Sequence, residues 1–305
     1  MKHAGRRLRE LLARDGCIVA PGCYDAFTAR LVEAVGFDAV YLGGSGIQHC
    51  LFGQPSVGYG TLSEYVWYSS HIARAVNIPL VIDAETGFGG ALDIRRTVRD
   101  LDHAGVAGAH IEDQAHAGGV ELGKVPSNLL TIEIAADKIR SARDALGTSD
   151  FVLIARTDSA VISVDEMIRR SIAYVQAGAD MVFPMLTHFM DYAAHQRGET
   201  KGTPYEMRLQ IIDRLAREIP APILIHSPHG TDLRRSDANR LGVKILAIPA
   251  MSLASAGPAV LDTLTAYRED RLEEHYRNRP PMPVKDVDAR VGMDGYRELV
   301  ERFGL

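Results

Sequence analysis

"VIDAETGFGG", residues 81–90, decides how the rest of this chain is read. The apolar run Leu80-Val81-Ile82 ends in two carboxylates, Asp83 and Glu85, and then in the glycines Gly87, Gly89 and Gly90. Acids spaced i, i+2 on a strand point the same way. A surface turn could use one acid, but two at strand spacing predict a strand that presents chemistry at its C-terminal end.

Working outward, the same theme recurs: a short β-branched run, a polar or glycine-rich loop, then a helical stretch closing near glycine. The strands are "CIVAPG" (17–22), "AVYLGG" (39–44), "PLVIDAE" (79–85), "GAHIED" (108–113), "FVLIARTD" (151–158), "DMVFPM" (180–185), "PILIHS" (222–227) and "KILAIPA" (244–250). Helical patterns fall near 25–36, 61–77, 92–105, 131–146, 165–178, 205–219 and 234–241, several ending on "AGV", "AGA" or "VGF". Strict strand–helix alternation implies a parallel sheet, and eight repeats over about 250 residues predict an α/β fold closed into a (β/α)8 TIM-type barrel. A doubly wound open sheet is the alternative. Residues 1–265 form the barrel catalytic domain in this reading. Residues 266–305, charged and broken by Pro280, Pro281 and Pro283, form a C-terminal helical extension that packs on the barrel or on a neighbouring subunit.

With 305 residues, 46% of them apolar and 24% charged, the chain can bury a large core. A net charge of -5 and a pI near 6.1 leave no basic footprint for nucleic acid. The N-terminus "MKHAGRRLRELLARDG" lacks the apolar segment of a secretory signal, and no run is long enough to span a membrane. Cys17, Cys23 and Cys50 are odd in number and have no C-x-x-C spacing. A cytoplasmic location, without nucleic-acid or membrane partners, is the expectation.

In a barrel of this kind the active site lies at the C-terminal strand ends. There stand Asp83 and Glu85, then Glu112 with His110 two residues earlier, then Arg156 and Asp158. Carboxylates gathered at one mouth repel one another unless a cation sits among them. All-oxygen ligation without Cys or a His pair favours Mg2+, or Mn2+, over Zn2+. Gly43, Gly44 and Gly46 in "YLGGSGIQ" could offer backbone N–H groups to a carboxylate or oxyanion, or could serve turn geometry alone. The competing reading of the acids is a set of separate salt-bridged surface groups.

"YLGGSG", "DAETGFGG", "AGVAGAHIEDQ" and "IARTD", in this order, resemble the isocitrate lyase and phosphoenolpyruvate mutase superfamily, particularly its short 2-methylisocitrate lyase-like members, over roughly residues 18–185. The resemblance implies a (β/α)8 barrel assembled as a homotetramer, a dimer of dimers with the eighth helix exchanged. It implies Mg2+ and a small-molecule carboxylate substrate, a 2-oxo or 2-hydroxy di- or tricarboxylate cleaved through an enolate held on the ion. By position, Asp83 would be the direct metal ligand, with Glu85 and Glu112 in its direct or water-mediated shell. Arg156 would steady the enolate oxygen or carboxylate, and the backbone of Gly43, Gly44, Ser45 and Gly46 would bind the substrate carboxylate.

The chain also departs from that pattern. Glu85 replaces the usual second aspartate of strand three, and Ser56 in "LFGQPSVG" replaces another. The loop "AHAGGVELGKVPSN" (115–128) lacks the lyases' proton-donating Cys, with Leu122 nearest its place, and Met185 replaces the acid or histidine after strand six. Gly118, Gly119 and Gly123 suit a mobile lid carrying Glu121 and Lys124, and His116, Glu121 or Lys124 could supply an acid or base. His226 or His229 at strand seven could replace the missing donor, and Tyr41 and Asp158 also face the mouth by alternation, with orientation of Arg156 as the alternative role of Asp158. Residues 186–205 form a long connection to which no role is assigned. The reading is therefore a Mg2+-dependent C–C lyase, oxaloacetate decarboxylase-like or atypical methylisocitrate lyase-like. Its alternatives are a P–C bond enzyme of the phosphonopyruvate hydrolase or carboxyphosphonoenolpyruvate mutase kind, and a non-catalytic metabolite-binding barrel.

Overall fold

The protein is described by a computed structural model covering residues 4–118, 125–186 and 204–304. Eight short parallel strands are seen among these residues: β1 Ile18–Pro21, β2 Val40–Leu42, β3 Leu80–Asp83, β4 Gly108–Glu112, β5 Val152–Thr157, β6 Met181–Pro184, β7 Leu224–His226 and β8 Ile245–Ile248. Except for the partly exposed His226, every strand residue is buried, as expected for strands covered on both faces.

Hydrogen bonds order them as β2-β3-β4-β5-β6 and β1-β8-β7. Two isolated parallel bridges, Gly22 to Tyr41 and Val182 to Ile223, join these two arcs. The Cys23 N–H donates to the Tyr41 carbonyl at 2.8 Å at one seam, and the Val182 N–H to the Pro222 carbonyl at 3.1 Å at the other. The sheet is thus closed, which rules out the open doubly wound alternative.

Alternation divides the strand side chains between two cores. Inward-facing Tyr41, Val81, Val152, Ile154, Met181, Phe183, Leu224 and Ile245 fill the barrel, joined by Leu8 and Leu11 of α1 (Ala4–Leu12). Outward-facing Ile82, Ala109, Ile111, Leu153 and Ala155 pack beneath the surrounding helices. Gly108 is required at the crowded foot of β4, where a Cβ would lie 2.7 Å from the Val152 carbonyl oxygen. Helix α1 is tied down by Arg9, which donates to the Asp150 and Phe151 carbonyls at 2.8 and 3.0 Å.

The helices that follow are α2 Ala26–Val35, α3 Gly44–Phe52, α4 Leu62–Ala75, α5 Asp93–His103, α6 Val125–Asn128, α7 Ile132–Leu146, α8 Val164–Gln176, α9 Tyr205–Glu218 and α10 Arg235–Arg240. Seven of them match the helical patterns read from sequence. The other two, α3 and the short α6, stand where loops were expected.

After β8 the chain forms α11 Met251–Arg268, α12 Leu272–Asn278, α13 Val284–Arg290 and α14 Met293–Phe303. Helix α11 runs across the expected boundary at 265/266. Its one buried residue is Ala266, while Val260, Leu261, Leu264 and Tyr267 are exposed. The last three helices have no buried residue. Arg30 of α2 reaches the Arg290 carbonyl at 3.1 Å and ties the extension to the barrel. No helix among the described residues is long and apolar enough to cross a membrane.

Candidate active site

Strand register brings the site together. Asp83 pairs with His110 across β3 and β4, and Glu112 pairs with Arg156 across β4 and β5. Residues far apart in the chain therefore meet at the C-terminal mouth because neighbouring parallel strands end in step.

Arg156 is the hub. Its Nη1 lies 3.2 Å from Glu112 Oε2 and 3.6 Å from Asp83 Oδ2. Its Nε and Nη2 donate to Asp158 Oδ1 at 3.2 and 3.0 Å. Asp158, fully buried, is held in turn by Gln114 Nε2 at 2.8 Å, and Gln114 by Asn128 Nδ2 at 2.9 Å. The guanidinium also lies over the Phe183 ring, 5.6 Å from its centroid. Its fork is thereby fixed, with Nη1 turned towards the acids of β3 and β4.

Glu112 is buried, and burial pushes its carboxyl well above the usual range; Arg156 opposes the shift, while Asp158, Glu85 and Asp83 add to it. Its Oε1 has no hydrogen-bond partner. A buried orphan oxygen beside an acid-rich mouth is what a bound cation would satisfy.

Beneath the acids lies a neutral floor. Tyr41 Oη is 2.6 Å from His110 Nε2 and 3.0 Å from His226 Nε2. One hydroxyl proton serves one imidazole, so the other imidazole must donate to the tyrosine oxygen. Burial pushes His110 down to about 4, a fall that Asp83 opposes. Burial, with His110 and Arg156 adding to it, pushes His226 well below its ordinary value. His226, expected to act as an acid titrating near neutrality, is placed as a hydrogen-bonding partner of Tyr41, whose own hydroxyl burial holds protonated. His229 is exposed.

Glu85 differs most from expectation. It follows β3 in a left-handed conformation, φ 51°, and its Oε1 accepts from Tyr65 Oη at 2.5 Å and from Gln48 Nε2 at 2.8 Å. Among the described residues no three His, Cys, Asp or Glu side chains are grouped to hold a metal ion. The three acids expected to hold the ion, Asp83, Glu85 and Glu112, thus have different partners. The extra methylene of Glu85 carries its carboxylate to Tyr65 and Gln48, leaving Asp83 and Glu112 on the guanidinium.

Gly43, extended at φ -78° and ψ 157°, is the N-cap of α3, so Gly44, Ser45 and Gly46 form the first helical turn. Their N–H groups point out of the helix end, where an anion is favoured. The Gly44 N–H makes a long contact of 3.4 Å to Asp83 Oδ2. Ser56 is half-buried, His116 is exposed, and Met185 lies in the barrel core. Gly118, φ 81°, packs where a Cβ would lie 2.6 Å from Val57 Cα. Gly119, Glu121, Leu122, Gly123 and Lys124 lie outside the described residues, as do 187–203.

Sequence reasoning missed Gln48, Tyr65, Gln114 and Phe183. Gln114 was accessible, since it continues the alternation of His110 and Glu112, and Phe183 shares the parity of Met185. Gln48 and Tyr65 gave no signal, because both are placed by helices rather than by strand alternation.

Residues 8–268 match the family model described as phosphoenolpyruvate phosphomutase. The chain is 34% identical over 278 residues to 2,3-dimethylmalate lyase of Eubacterium barkeri, covering 88% of this chain and 87% of that protein. It is 32% identical over 306 residues to the chloroplastic carboxyvinyl-carboxyphosphonate phosphorylmutase of Arabidopsis thaliana, covering 97% and 84%. Among solved structures, oxaloacetate acetylhydrolase in complex with the product oxalate superposes with a TM-score of 0.81 at 28% identity, covering 99% of each chain.

Proposed function

This chain belongs to the phosphoenolpyruvate phosphomutase family, and from that premise we propose that it is a carbon–carbon lyase acting on a small 2-oxo or 2-hydroxy di- or tricarboxylate through an enolate. The observation that carries the reading is Arg156 Nη1, 3.2 Å from Glu112 and 3.6 Å from Asp83, with acids and base drawn from three successive strands at the barrel's C-terminal mouth. The likeness to a dimethylmalate lyase and an oxaloacetate acetylhydrolase supports a malate- or oxaloacetate-sized substrate.

With a 2-hydroxy acid the hydroxyl loses its proton and its oxygen becomes the keto oxygen of the product, while the electron pair of the broken C–C bond leaves on the departing fragment as a carboxylate-stabilised enolate. With a 2-oxo diacid, loss of CO2 leaves the pair on the carbon beside the keto group, which spreads it onto the keto oxygen as an enolate that then takes up a solvent proton. Arg156, held by Asp158 so that it does not reorganise, supplies a fixed positive charge where that oxygen becomes negative. The first-turn N–H groups of Gly44, Ser45 and Gly46 hold the neighbouring carboxylate. Phe183 shields one side of the guanidinium from water, and the neutral His226–Tyr41–His110 floor adds no charge to compete with it.

A hard dication fits the remaining donors. Asp83 and Glu112 offer oxygens, Glu112 Oε1 lacks a partner, and one guanidinium serves three carboxylates. Mg2+ characteristically uses one or two carboxylates and completes its shell with water and substrate. When bound, the ion would act as a Lewis acid on substrate oxygens, and Asp83 and Glu112 would hold it.

Release of CO2 needs no acid to protonate a departing carbanion, so decarboxylation suits a loop without the lyases' cysteine. The test is pyruvate formation from oxaloacetate, 2,3-dimethylmalate and 2-methylisocitrate, with and without Mg2+. Full activity in Asp83→Ala sinks the reading. Likeness to the Arabidopsis phosphorylmutase along most of the chain favours P–C chemistry as the second reading. Arg156 is already shared among three carboxylates and is poorly placed for a phosphonate dianion as well. No phosphate release from phosphonopyruvate is expected. For assembly, the exposed apolar face of α11 is covered by a second copy of the chain in this reading, within a homotetramer.

A further inference from the structure

We infer that Glu85 is a positioning residue rather than an ion ligand: with Tyr65 and Gln48 it forms a latch that fixes the first turn of α3 and the 57–59 loop around the substrate carboxylate. The inference rests on the functional reading above and deepens it.

The latch is saturated at Glu85 Oε1 and at the Gln48 amide. Gln48 Oε1 accepts from the Val57 and Tyr59 N–H groups, both at 3.0 Å. Backbone N–H groups only donate, so the amide orientation is fixed and Nε2 must face the acid. That Nε2 donates to Glu85 Oε1 at 2.8 Å and to Tyr65 Oη at 3.0 Å. Tyr65 passes its proton's hydrogen bond to the same Oε1 at 2.5 Å. Both lone pairs of Oε1 are thereby spent, and all four amide valences of Gln48 are used.

Its location gives the latch its function. A Cβ on Gly44 would lie 2.4 Å from Glu85 Oε1, so the carboxylate is seated directly against the turn that offers N–H groups to substrate. Gln48 and Tyr65 are fully buried. On the other side, a Cβ on Gly58 would lie 2.6 Å from Ala117 Cβ, so the loop held by Gln48 packs on the segment leading away from β4. Aspartate in place of Glu85 would be one methylene too short to reach Tyr65 and Gln48 from this backbone.

The test is calorimetric binding of Mn2+ alone, and of oxalate with Mn2+ present, to the full chain and to Glu85→Gln, Glu85→Asp, Gln48→Ala and Asp83→Asn. Glu85→Gln keeps an acceptor at Oε1 and should hold Mn2+ within about threefold of the parent, whereas Asp83→Asn should lose about 30-fold or more. Gln48→Ala and Glu85→Asp should weaken oxalate about tenfold with Mn2+ affinity unchanged. Loss of Mn2+ in Glu85→Gln as severe as in Asp83→Asn overturns the latch while leaving the functional reading intact; so does undiminished oxalate binding in both Gln48→Ala and Glu85→Asp. A parent protein that binds neither probe removes the functional reading, and the latch with it.

Discussion

Arg156 meets three carboxylates, Asp83 of β3, Glu112 of β4 and Asp158 just past β5, and the division of those contacts sets its role. Asp158 holds Nε and Nη2, so Nη1 is the part turned towards the mouth between Asp83 and Glu112, where a substrate oxygen would become negative. Lysine keeps the charge but not the fork. Arg156→Lys is therefore expected to lower kcat by about 10²–10³-fold with a smaller change in KM, measured by steady-state pyruvate release. His110 makes a second prediction. Its folded value is about 4 against 6.5 for the free side chain, so above pH 6.5 it is neutral in both states and costs nothing. As pH falls through that window the unfolded chain takes up a proton and the native state does not, so stability falls by about 3 kcal/mol by pH 4. Urea unfolding from pH 7 to pH 4 should show a shallower decline for His110→Gln than for the parent. An unchanged slope in the variant counts against a neutral, buried His110. Asp83, Glu112 and Arg156 were legible in the sequence because strand alternation points them all into one mouth. The carboxylate of Glu85 was not, since a left-handed residue past the strand end escapes alternation.

Helix α3 shows where element-level reading failed. "GSGIQHCLF" has two glycines among nine residues and was read as a glycine-rich loop after β2. Glycine is costly within a helix, and the segment is helical because burial of Gly46, Ile47 and Gln48 outweighs that cost. The glycine at 44 is required by close approach: a Cβ there would lie 2.4 Å from Glu85 Oε1 and 3.2 Å from Asp83 Oδ2. Gly44→Ala is expected to displace the Glu85 carboxylate and lower kcat/KM at least about tenfold, through a raised KM. Circular dichroism should show the helix content retained. Wild-type kinetics in that variant would mean that the first turn of α3 does not cradle the substrate. Asp25 and Thr28 form a reciprocal cap on α2, Thr61 and Glu64 do so on α4, and the helices that match the sequence patterns begin and end close to the positions read from them.

At the scale of the whole molecule, closure of the barrel depends on two single bridges, Gly22 to Tyr41 and Val182 to Ile223, and one of them involves a residue of the site floor. The C-terminal helices set a different problem. Val260, Leu261, Leu264 and Tyr267 of α11 are exposed, more apolar surface than an isolated helix carries without a partner. Sedimentation velocity is expected to show an assembly larger than a monomer, and Leu261→Glu with Leu264→Glu is expected to shift it to a smaller species. A monomeric parent chain would remove the second-copy reading.

By itself the sequence determined the alternation of strands and helices, hence an α/β fold with a parallel sheet, and the acids and the arginine at the strand ends, because periodicity is a local property of the chain; closure of the sheet into a barrel was settled by the bridges between its two arcs. Only the tertiary structure decided how those groups divide their work. Whether a carboxylate faces an ion, a guanidinium or a tyrosine depends on atoms brought within about 3 Å by separate elements. Glu85 meets Tyr65 and Gln48, and His226 meets Tyr41, because burial and hydrogen-bond partners are properties of the packed molecule and not of spacing along the chain.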